Sequence, residues 1–341
     1  MSIHERDGFS NAKAPRAAVL GGGVSGITCA GALAEAGWDV TVFEKSRGIG
    51  GRASTRREGN LTFDHGAPCF SEEGGPFAET VNALLGSGSL APWSRRTAQI
   101  RRGRIEFSED CALRYVGVPG MSSLPRRLSR GLRVLNGREV SEVRVTGSGS
   151  ELHFKAGESE IYPLVIVAVP APQAAVLVSG IDFLSNAVSR ARFSSGIVAM
   201  AAFSERLDVP FDDASVDGSD LSRVIRDASK PGRGDSDCWV LHGSPEFVER
   251  RLEEDSDESA ERLLSEFSSI LDRPLPEAIF SSGHRWRYAR TTKPYGESYA
   301  FDSKAGVGVV GDWCLGDGIE EAYASGAAMA NHLLEVSGVS S

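Results

Sequence analysis

Several glycines and one acidic residue near the start of the chain have the types and spacing to bind a phosphate-rich ligand. Gly21, Gly23 and Gly26 form a G-x-G-x-x-G pattern directly after a short apolar run. The first glycine permits a tight turn, the second lets a pyrophosphate reach the backbone, and the third lets helix and strand pack closely. The free amides around Ser25 and the helix dipole would then face the phosphates. Glu44, 18 residues after Gly26, is placed to accept hydrogen bonds from ribose hydroxyls.

A second glycine loop follows this acidic residue and favours FAD over NAD. Lys45 comes next in the chain, and the loop ends in Gly50-Gly51-Arg52. Such a loop can wrap the far side of a pyrophosphate, and Arg52 can neutralise its charge. A plain NAD-dehydrogenase domain has no need of this extension. The alternative for Arg52 is a solvated surface arginine.

The C-terminal part of the chain supports the same cofactor. Gly311-Asp312 follows an apolar run, where flavoproteins place an acid near the ribityl chain or a phosphate. A helix that begins at Gly318-Ile319 would aim its amides at the flavin N1–C2=O edge and stabilise the reduced flavin. The surroundings of Cys314 lack the covalent-flavin motif of mitochondrial amine oxidases, so we expect FAD to bind non-covalently.

The order of elements predicts an α/β fold in which both chain ends build one Rossmann-like domain. Apolar residues 17–20, a small-residue helix ending at Ala36 and a strand ending at Glu44 form a βαβ unit. Further along the chain we expect a helix capped by Ser122 or Ser123. The remaining elements expected are strands within 132–145, 164–169 and 306–310 and helices near 246–254, 259–271 and 318–335. The predicted domains are an FAD-binding domain (14–72, 112–176 and 300–338) and an inserted α+β substrate domain (73–111 and 177–299), after a disordered leader (1–13).

Composition excludes several classes of function. The net charge of −9 argues against nucleic acid as a partner. No apolar run approaches the length of a membrane span, and no signal peptide is visible at the N-terminus. The five cysteines are scattered and form no Cys-x-x-Cys pair. We therefore expect a cytoplasmic protein without a disulfide framework or structural zinc site.

Six further segments carry a resemblance to the bacterial renalases. They are Lys-Ser-Arg-Gly at 45–48 with Gly-Gly-Arg at 50–52, Val-Gly-Val-Pro-Gly-Met-Ser at 116–122, Ala-Val-Pro-Ala-Pro-Gln at 168–173, Ser-Lys-Pro-Gly-Arg at 229–233, His-Arg-Trp-Arg-Tyr-Ala at 284–289 and Gly-Asp-Trp-Cys-Leu at 311–315. The resemblance implies a fold like para-hydroxybenzoate hydroxylase. It also implies oxidation of 2- and 6-dihydro isomers of NAD(P)H, with O2 as electron acceptor and H2O2 as product. By the same resemblance, the Val140 backbone would pair with adenine, and Pro68 and Cys69 would lie beside the isoalloxazine. Ala67 and Pro68 are the cofactor-binding candidates of this segment.

This chemistry needs no general base, because hydride loss from a dihydropyridine gives an aromatic pyridinium directly. The protein need only position the ring at flavin N5. Our candidates on the substrate side are Trp286, His284, His242, Lys230 and Arg226. Each has a structural alternative: a core aromatic for Trp286, a satisfied structural histidine for His242 and a solvated lysine for Lys230. We expect no metal site among the six histidines.

Two features leave the substrate open. Pro68 and Cys69 stand where renalase-like chains usually carry glutamine and an aromatic residue; Cys69 is either a small apolar filler or a reactive thiol. The basic stretch from Arg95 to Arg104 either attracts a phosphate-bearing substrate or forms an exposed hairpin face. The alternatives are therefore an oxidoreductase of amines, porphyrinogens or polyenes, and a flavin redox sensor without turnover. The sequence leaves the oligomeric state open.

Overall fold

The computed structural model describes residues 14–108 and 112–338. The expected leader, 1–13, lies outside the described residues. The α-helices are α1 (Val24–Glu35), α2 (Pro76–Gly86), α3 (Ser123–Leu128), α4 (Ala171–Leu177), α5 (Asp182–Ser189), α6 (Pro245–Arg251), α7 (Ser256–Ile270) and α8 (Ile319–Ser337). Short 3-10 helices span Gly51–Ala53, Asp227–Ser229 and Asp312–Cys314.

The strands fall into two large sheets and three small ones. In chain order they are β1 (Arg16–Leu20), β2 (Asp39–Glu44), β3 (Arg56–Glu58), β4 (Leu61–Phe63), β5 (Leu90–Pro92), β6 (Thr97–Arg101), β7 (Arg104–Ser108), β8 (Tyr115–Gly117), β9 (Arg133–Asn136), β10 (Val140–Thr146), β11 (Gly149–Phe154), β12 (Ser159–Tyr162), β13 (Leu164–Val167), β14 (Arg192–Phe203), β15 (Asp213–Asp217), β16 (Leu221–Arg226), β17 (Asp237–Gly243), β18 (Ala278–Lys293), β19 (Ala300–Asp302) and β20 (Val307–Val309).

The first large sheet joins the two ends of the chain. Its order is β19-β20-β13-β1-β2-β9, and only the edge pair β19–β20 is antiparallel. Val19 in the central strand pairs with Val42 on one side and Ile166 on the other. The apolar residues of the central strands β1 and β13 are buried, as is typical of a parallel sheet covered on both faces. The predicted α/β class is therefore confirmed.

Two different layers cover this sheet. On one face, Ile27 and Leu33 of α1 and Met329 of α8 pack against Val19. On the other, the antiparallel meander β10–β11–β12 and helices α4 and α5 pack against alternate residues of the same strands, including Leu20. The alternation follows from the period of two in a strand.

The second large sheet is mostly antiparallel and has the order β18-β14-β17-β16-β15-β6-β7. One face packs against α6 and α7 through a cluster that includes Phe247, Leu263 and Trp239. Helix α7 begins at Asp255, whose carboxylate accepts hydrogen bonds from two amides of the first turn. The opposite face packs in part against Phe63 of β4 and in part lines a cleft.

Local expectations agree with most elements, with one difference at α3. That helix follows Ser122, but no described hydrogen bond links the Ser122 hydroxyl to a helix amide. The start is held instead by the Ser123 amide, which donates to the Gly120 carbonyl at 2.8 Å, and by the Ser122 amide, which donates to the Thr55 hydroxyl at 3.0 Å. Within 14–108 and 112–338, no helix has an apolar stretch long enough to cross a bilayer.

Candidate functional site

A continuous cleft of about 2900 Å³ runs between the two large sheets. Its walls come from four parts of the chain: the turn after β1, segments 43–58 and 65–71, and the start of α8, with the open face of the second sheet opposite. Residues from both the N-terminal and the C-terminal parts of the chain therefore line the same cleft.

The turn between β1 and α1 is shaped by close backbone approaches. Gly21 has a φ of +116°, and a Cβ there would lie 2.5 Å from the Ala168 carbonyl oxygen. A Cβ on Gly26 would lie 2.3 Å from the Gly21 oxygen. Gly23 has no neighbouring atom within 4 Å of such a position and lines the cleft, as does Ser25. The amides at the start of α1 therefore border open space where a phosphate can approach.

Glu44 ends β2 at the same edge of the cleft. Its carboxylate accepts hydrogen bonds from the Gly22 amide and the Ser46 amide, both at 2.7 Å. Each carboxylate oxygen has more than one lone pair, so a ribose hydroxyl can still donate to it. Lys45 is exposed and lines the cleft beside it, and Val140 lines the cleft at the start of β10.

Arg52 and Asp312 join the second glycine loop to the C-terminal turn. Arg52 Nη2 lies 2.5 Å from Asp312 Oδ1, and both residues line the cleft, as do Gly51 and Gly311. Burial raises the pKa of Asp312, although the Arg52 charge opposes this shift. The ion pair with Asp312 therefore holds the positively charged guanidinium of Arg52 at the cleft wall.

Helix α8 presents its first turn to the cleft. Gly318 is its N-cap, no side chain among the described residues caps the helix there, and both Gly318 and Ile319 line the cleft. Glu320 accepts a hydrogen bond from the Glu73 amide at 3.1 Å. Glu320 is thus an acidic residue in the first turn of α8, where negative charge favours the helix dipole.

Three aromatic rings form a cluster on the opposite wall. Trp286 stacks on His65 with ring centroids 5.4 Å apart and an interplanar angle of 23°. His284 meets both rings edge-on, at 4.5 Å from Trp286 and 4.8 Å from His65. Trp286 Nε1 donates to the His65 carbonyl at 2.8 Å, which fixes the indole plane. All three side chains line the cleft.

Burial keeps the histidines of this wall neutral. Burial lowers the pKa of His65, and burial together with the neighbouring His65 ring and the Arg56 charge lowers the pKa of His284 to about 4. Burial and the neighbouring Arg223 charge lower the pKa of His242, which also lines the cleft, to about 3. These imidazoles are therefore weak bases at neutral pH.

The segment of residues 66–69 lies between the two walls. The Ala67 amide donates to the Arg52 carbonyl at 2.8 Å, and a Cβ on Gly66 would lie 2.0 Å from that same oxygen. Ala67, Pro68 and Cys69 all line the cleft. The departure from the renalase-like pattern at Pro68 and Cys69 therefore falls within the cleft wall.

Lys230 is placed differently from our expectation of a lysine at the substrate. It is absent from the cleft lining, and its side chain is fully buried, so the solvated alternative is wrong as well. Its Nζ lies 3.0 Å from Asp64 Oδ2 and also pairs with Asp227, while Arg233 pairs with both carboxylates. Burial alone would raise the pKa of Asp64, but the charges of Lys230 and Arg233 lower it. Lys230 is part of a buried ionic cluster behind segment 65–70.

Arg226 also lies outside the cleft lining. Its guanidinium is buried, lies over the Trp239 ring at 4.8 Å and faces Asp237. The physical reason is strand parity: Arg226 and Arg223, three residues apart in β16, point to opposite faces. Arg226 therefore lies on the face of β16 away from the cleft, and Arg223 is the arginine of β16 that lines the cleft.

Three residues of this wall were missed by the sequence reasoning: His65, Asp213 and Arg223. Counting alternate positions in β16 from its buried residues would have pointed to Arg223. Asp213 has no local signal, since its partners come from other strands. The basic stretch is divided: Arg101, Arg102 and Arg104 are exposed on the β6–β7 hairpin, whereas the Arg95 side chain is 5% exposed and pairs with Asp213.

The part of the chain that the structure describes contains no group of three or more potential metal ligands. Comparison with known families identifies the family of the chain. A family model described as "Flavin containing amine oxidoreductase" matches residues 82–334, and one described as "NAD(P)-binding Rossmann-like domain" matches residues 19–84. The chain belongs to the flavin-containing amine oxidoreductase family.

Solved structures share the fold of this chain at low sequence identity. A putative protoporphyrinogen oxidase from Exiguobacterium sp. 255-15 superimposes with a TM-score of 0.78 and 13% identity, covering 96% of this chain and 99% of that chain. An engineered putrescine oxidase gives a TM-score of 0.71 and 14% identity, covering 94% and 100%. An oxidoreductase from Methanosarcina mazei gives 0.67 and 16%, covering 93% and 100%.

A short segment is similar in sequence to curated proteins. The 4,4'-diapophytoene desaturase (4,4'-diaponeurosporene-forming) of Staphylococcus aureus is 43% identical over 49 residues, which are 14% of this chain and 10% of the desaturase. The chain thus spans about a tenth of the length of the curated relatives it matches.

The geometry fits the flavin that the family implies. The open space at Gly23, the uncapped start of α8 and the buried Arg52–Asp312 pair all border one cleft. Amides and a guanidinium suit phosphates, and the α8 dipole suits negative charge. The cleft of this family member therefore has one wall whose groups suit phosphates and negative charge, and an opposite wall of aromatic rings.

Proposed function

We propose that the protein is an FAD-dependent oxidase that takes a hydride from a 2- or 6-dihydronicotinamide isomer of NAD(P)H. The observation that carries the proposal is the cluster of Trp286, His65 and His284 on the wall opposite the cofactor residues. Flat rings held in fixed planes offer a stacking surface for a dihydropyridine. The renalase-like segment 284–289 supplies two of the three rings.

The electrostatics of this wall favour a reaction in which the protein removes no proton. His284 is neutral at pH 7 and, with a pKa of about 4, is a poor base. A dihydropyridine loses only a hydride and becomes an aromatic pyridinium, so it requires no such base. The two histidines then serve to position the ring and exclude water.

The cofactor wall would hold FAD without a covalent link. The amides of the β1–α1 turn and Arg52 would bind the pyrophosphate, Glu44 a ribose, Val140 the adenine and the first turn of α8 the flavin ring. When bound, FAD would supply the hydride acceptor and the route by which the electron pair, with one proton from solvent, reaches O2 to give H2O2. We also propose that the FAD-binding domain comprises residues 14–72, 112–176 and 300–338, and that the substrate domain comprises residues 73–111 and 177–299.

The test is anaerobic stopped-flow bleaching of the flavin with 2-dihydroNAD(P), 6-dihydroNAD(P), putrescine and protoporphyrinogen. We expect rapid bleaching with one or both dihydronicotinamides and none above background with the others. Bleaching by the amine or the porphyrinogen alone would replace the proposal with that activity. No bleaching by any of them would favour a redox sensor.

Variants of Trp286 test whether the aromatic wall binds the substrate. Trp286→Ala should lower the reduction rate per molar substrate roughly tenfold, because a stacked ring contributes about 1 kcal/mol beyond its buried area. Trp286→Phe keeps a ring and should retain most of the rate. Equal rates in all three proteins, with flavin fully bound, would place the substrate elsewhere.

A further inference from the structure

The carboxylate of Asp64 accepts hydrogen bonds from three other segments of the chain. Its Oδ1 accepts from the Thr55 hydroxyl at 2.7 Å and from the Met121 amide at 2.9 Å. Its Oδ2 accepts from Lys230 Nζ at 3.0 Å and from the Arg233 guanidinium. Because donors occupy lone pairs on both oxygens of this buried carboxylate, its position is fixed.

Lys230 and Arg233 also bind a second carboxylate. Asp227 pairs with Lys230 and with Arg233, whose Nε lies 3.1 Å from Asp227 Oδ2. The four charged side chains are at most 2% exposed. Buried charges of this kind are stable only while they compensate one another. Since Asp227, Lys230 and Arg233 lie between β16 and β17, the cluster joins Asp64 to the second large sheet.

Asp64 directly precedes His65, whose backbone binds the indole of the aromatic cluster. The His65 carbonyl accepts the hydrogen bond from Trp286 Nε1 at 2.8 Å, and the two rings stack. After His65, the Ala67 amide donates to the Arg52 carbonyl at 2.8 Å. The His65 backbone is therefore fixed on both sides, by the Asp64 carboxylate before it and by this hydrogen bond after it.

We propose that Asp64 is a positioning residue for the aromatic cluster: its ionic contacts hold the His65 backbone, and the His65 carbonyl holds the plane of the Trp286 ring. Asp64 is absent from the cleft lining, so it acts only through these neighbours. The inference rests on the proposed function, in which Trp286 stacks on the substrate ring. A ring that loses its fixed plane stacks less well, because aromatic contacts depend on their geometry.

Asp64→Asn tests this role, since it keeps the size of the side chain and removes its charge. An asparagine whose oxygen faces Thr55 and Met121 turns its NH2 group toward the Arg233 donors, so the ionic contact is lost. The Trp286 signal is the difference in near-ultraviolet circular dichroism between the flavin-loaded protein and the same protein with Trp286→Phe. We expect Asp64→Asn to abolish most of this difference.

Asp237→Asn is the matched control. Asp237 is also a buried carboxylate, and it accepts from the Leu207 amide at 2.8 Å and from Trp239 Nε1 at 2.9 Å. It pairs with Arg226 and lies outside the cleft lining. Its replacement should lower the urea midpoint, as Asp64→Asn does, but leave the Trp286 signal unchanged. An equal fall of the signal in both variants would contradict the inference, because any loss of stability would then loosen the ring.

A double-mutant cycle on nicotinamide binding measures whether Asp64 acts through Trp286. Dissociation constants come from the shift of flavin absorption. Asp64→Asn and Trp286→Ala should each weaken binding about tenfold, since each removes the ordered stacking surface. The double variant should also bind only about tenfold more weakly than the unmodified protein, because both changes remove the same contact. A loss of about a hundredfold would show that Asp64 acts independently of the ring and would overturn the inference.

A second variant decides the case in which Asp64→Asn alone does not fold. Asp64→Asn combined with Lys230→Met leaves one carboxylate, Asp227, with one cation, Arg233, and should regain stability. The Trp286 signal should stay lost, because residue 64 still has no ionic contact. Recovery of the signal together with stability would mean that only the balance of buried charge matters, and the positioning role would be rejected.

The circular dichroism result is independent of turnover. Loss of the Trp286 signal in Asp64→Asn, without flavin bleaching by dihydronicotinamides or without nicotinamide binding to the unmodified protein, would overturn only the proposed function. Bleaching combined with an unchanged Trp286 signal in Asp64→Asn would overturn only this inference.

Discussion

Arg52 and Asp312, 260 positions apart in the chain, form an ion pair with their nearest atoms 2.5 Å apart. The pair links the loop after β2 to the turn before α8. It therefore joins two parts of the cleft wall that are far apart in the chain. Asp312 is buried, and its pKa is raised by that burial in spite of Arg52. The guanidinium therefore compensates a carboxylate and also faces the cleft.

Arg52→Met should weaken FAD binding by about 10- to 100-fold, because a hydrogen bond to a charged group contributes about 1.5–3 kcal/mol. The measurement is a fluorescence titration of deflavinated protein with FAD. Arg47→Met is the control, since Arg47 lies in the same loop, lines the cleft and is exposed. Equal losses in the two variants would mean that Arg52 acts only through the general charge of the cleft.

Two glycines of helix α1 should respond oppositely to alanine. In Gly26→Ala the new Cβ would lie 2.3 Å from a backbone oxygen, so the turn must shift, at a cost of about 1–3 kcal/mol. Gly31→Ala places its Cβ in open space and should stabilise the protein by about 0.5–1 kcal/mol. Urea unfolding measures both. A neutral Gly26→Ala variant that keeps its flavin would contradict the close approach.

Lys230→Met should lower the free energy of unfolding by about 3–5 kcal/mol, because it leaves Asp64 and Asp227 buried with only Arg233 to compensate them. Lys155→Met removes an exposed lysine that pairs with Glu139, and it should cost less than about 1 kcal/mol. The comparison uses urea unfolding at pH 7. A similar small change in both variants would mean that water enters the buried cluster.

Stability should fall as the pH is lowered from 7 to 5, in part because His242 and His284 are neutral in the folded protein. Their pKa values are lowered to about 3 and about 4, whereas unfolded histidine titrates near roughly 6.5. The unfolded state therefore binds more protons in this range, and acid favours it.

His242→Gln and His284→Gln should each lose less stability between pH 7 and pH 5 than the unmodified protein. Urea midpoints measured at both pH values test this. Between pH 7 and pH 8 the variants and the unmodified protein should change in parallel, since the folded histidines are neutral throughout. An unchanged slope between pH 7 and pH 5 in both variants would show that the two imidazoles are hydrated.

The βαβ unit and the glycine-rich turn could be predicted because their signals are local. Apolar runs, Gly26 and the distance to Glu44 all lie within one 30-residue unit, so periodicity and spacing suffice. The residues of the aromatic wall could not be predicted from spacing alone. The sequence analysis selected Arg226, whereas Arg223 is the arginine that faces the cleft. To choose between them one must know which face of β16 is covered by α7. The domain boundaries stay a prediction.

The amino-acid sequence by itself predicted the α/β fold class and the glycine-rich turn after β1, because the signals of strand, turn and helix lie close together in the chain. Only the tertiary structure decided that Lys230 pairs with Asp64, that Asp213 lies between two arginines, and that His65 stacks on Trp286. These contacts join residues far apart in the chain. Their formation depends on sheet register and on burial, which no single segment specifies.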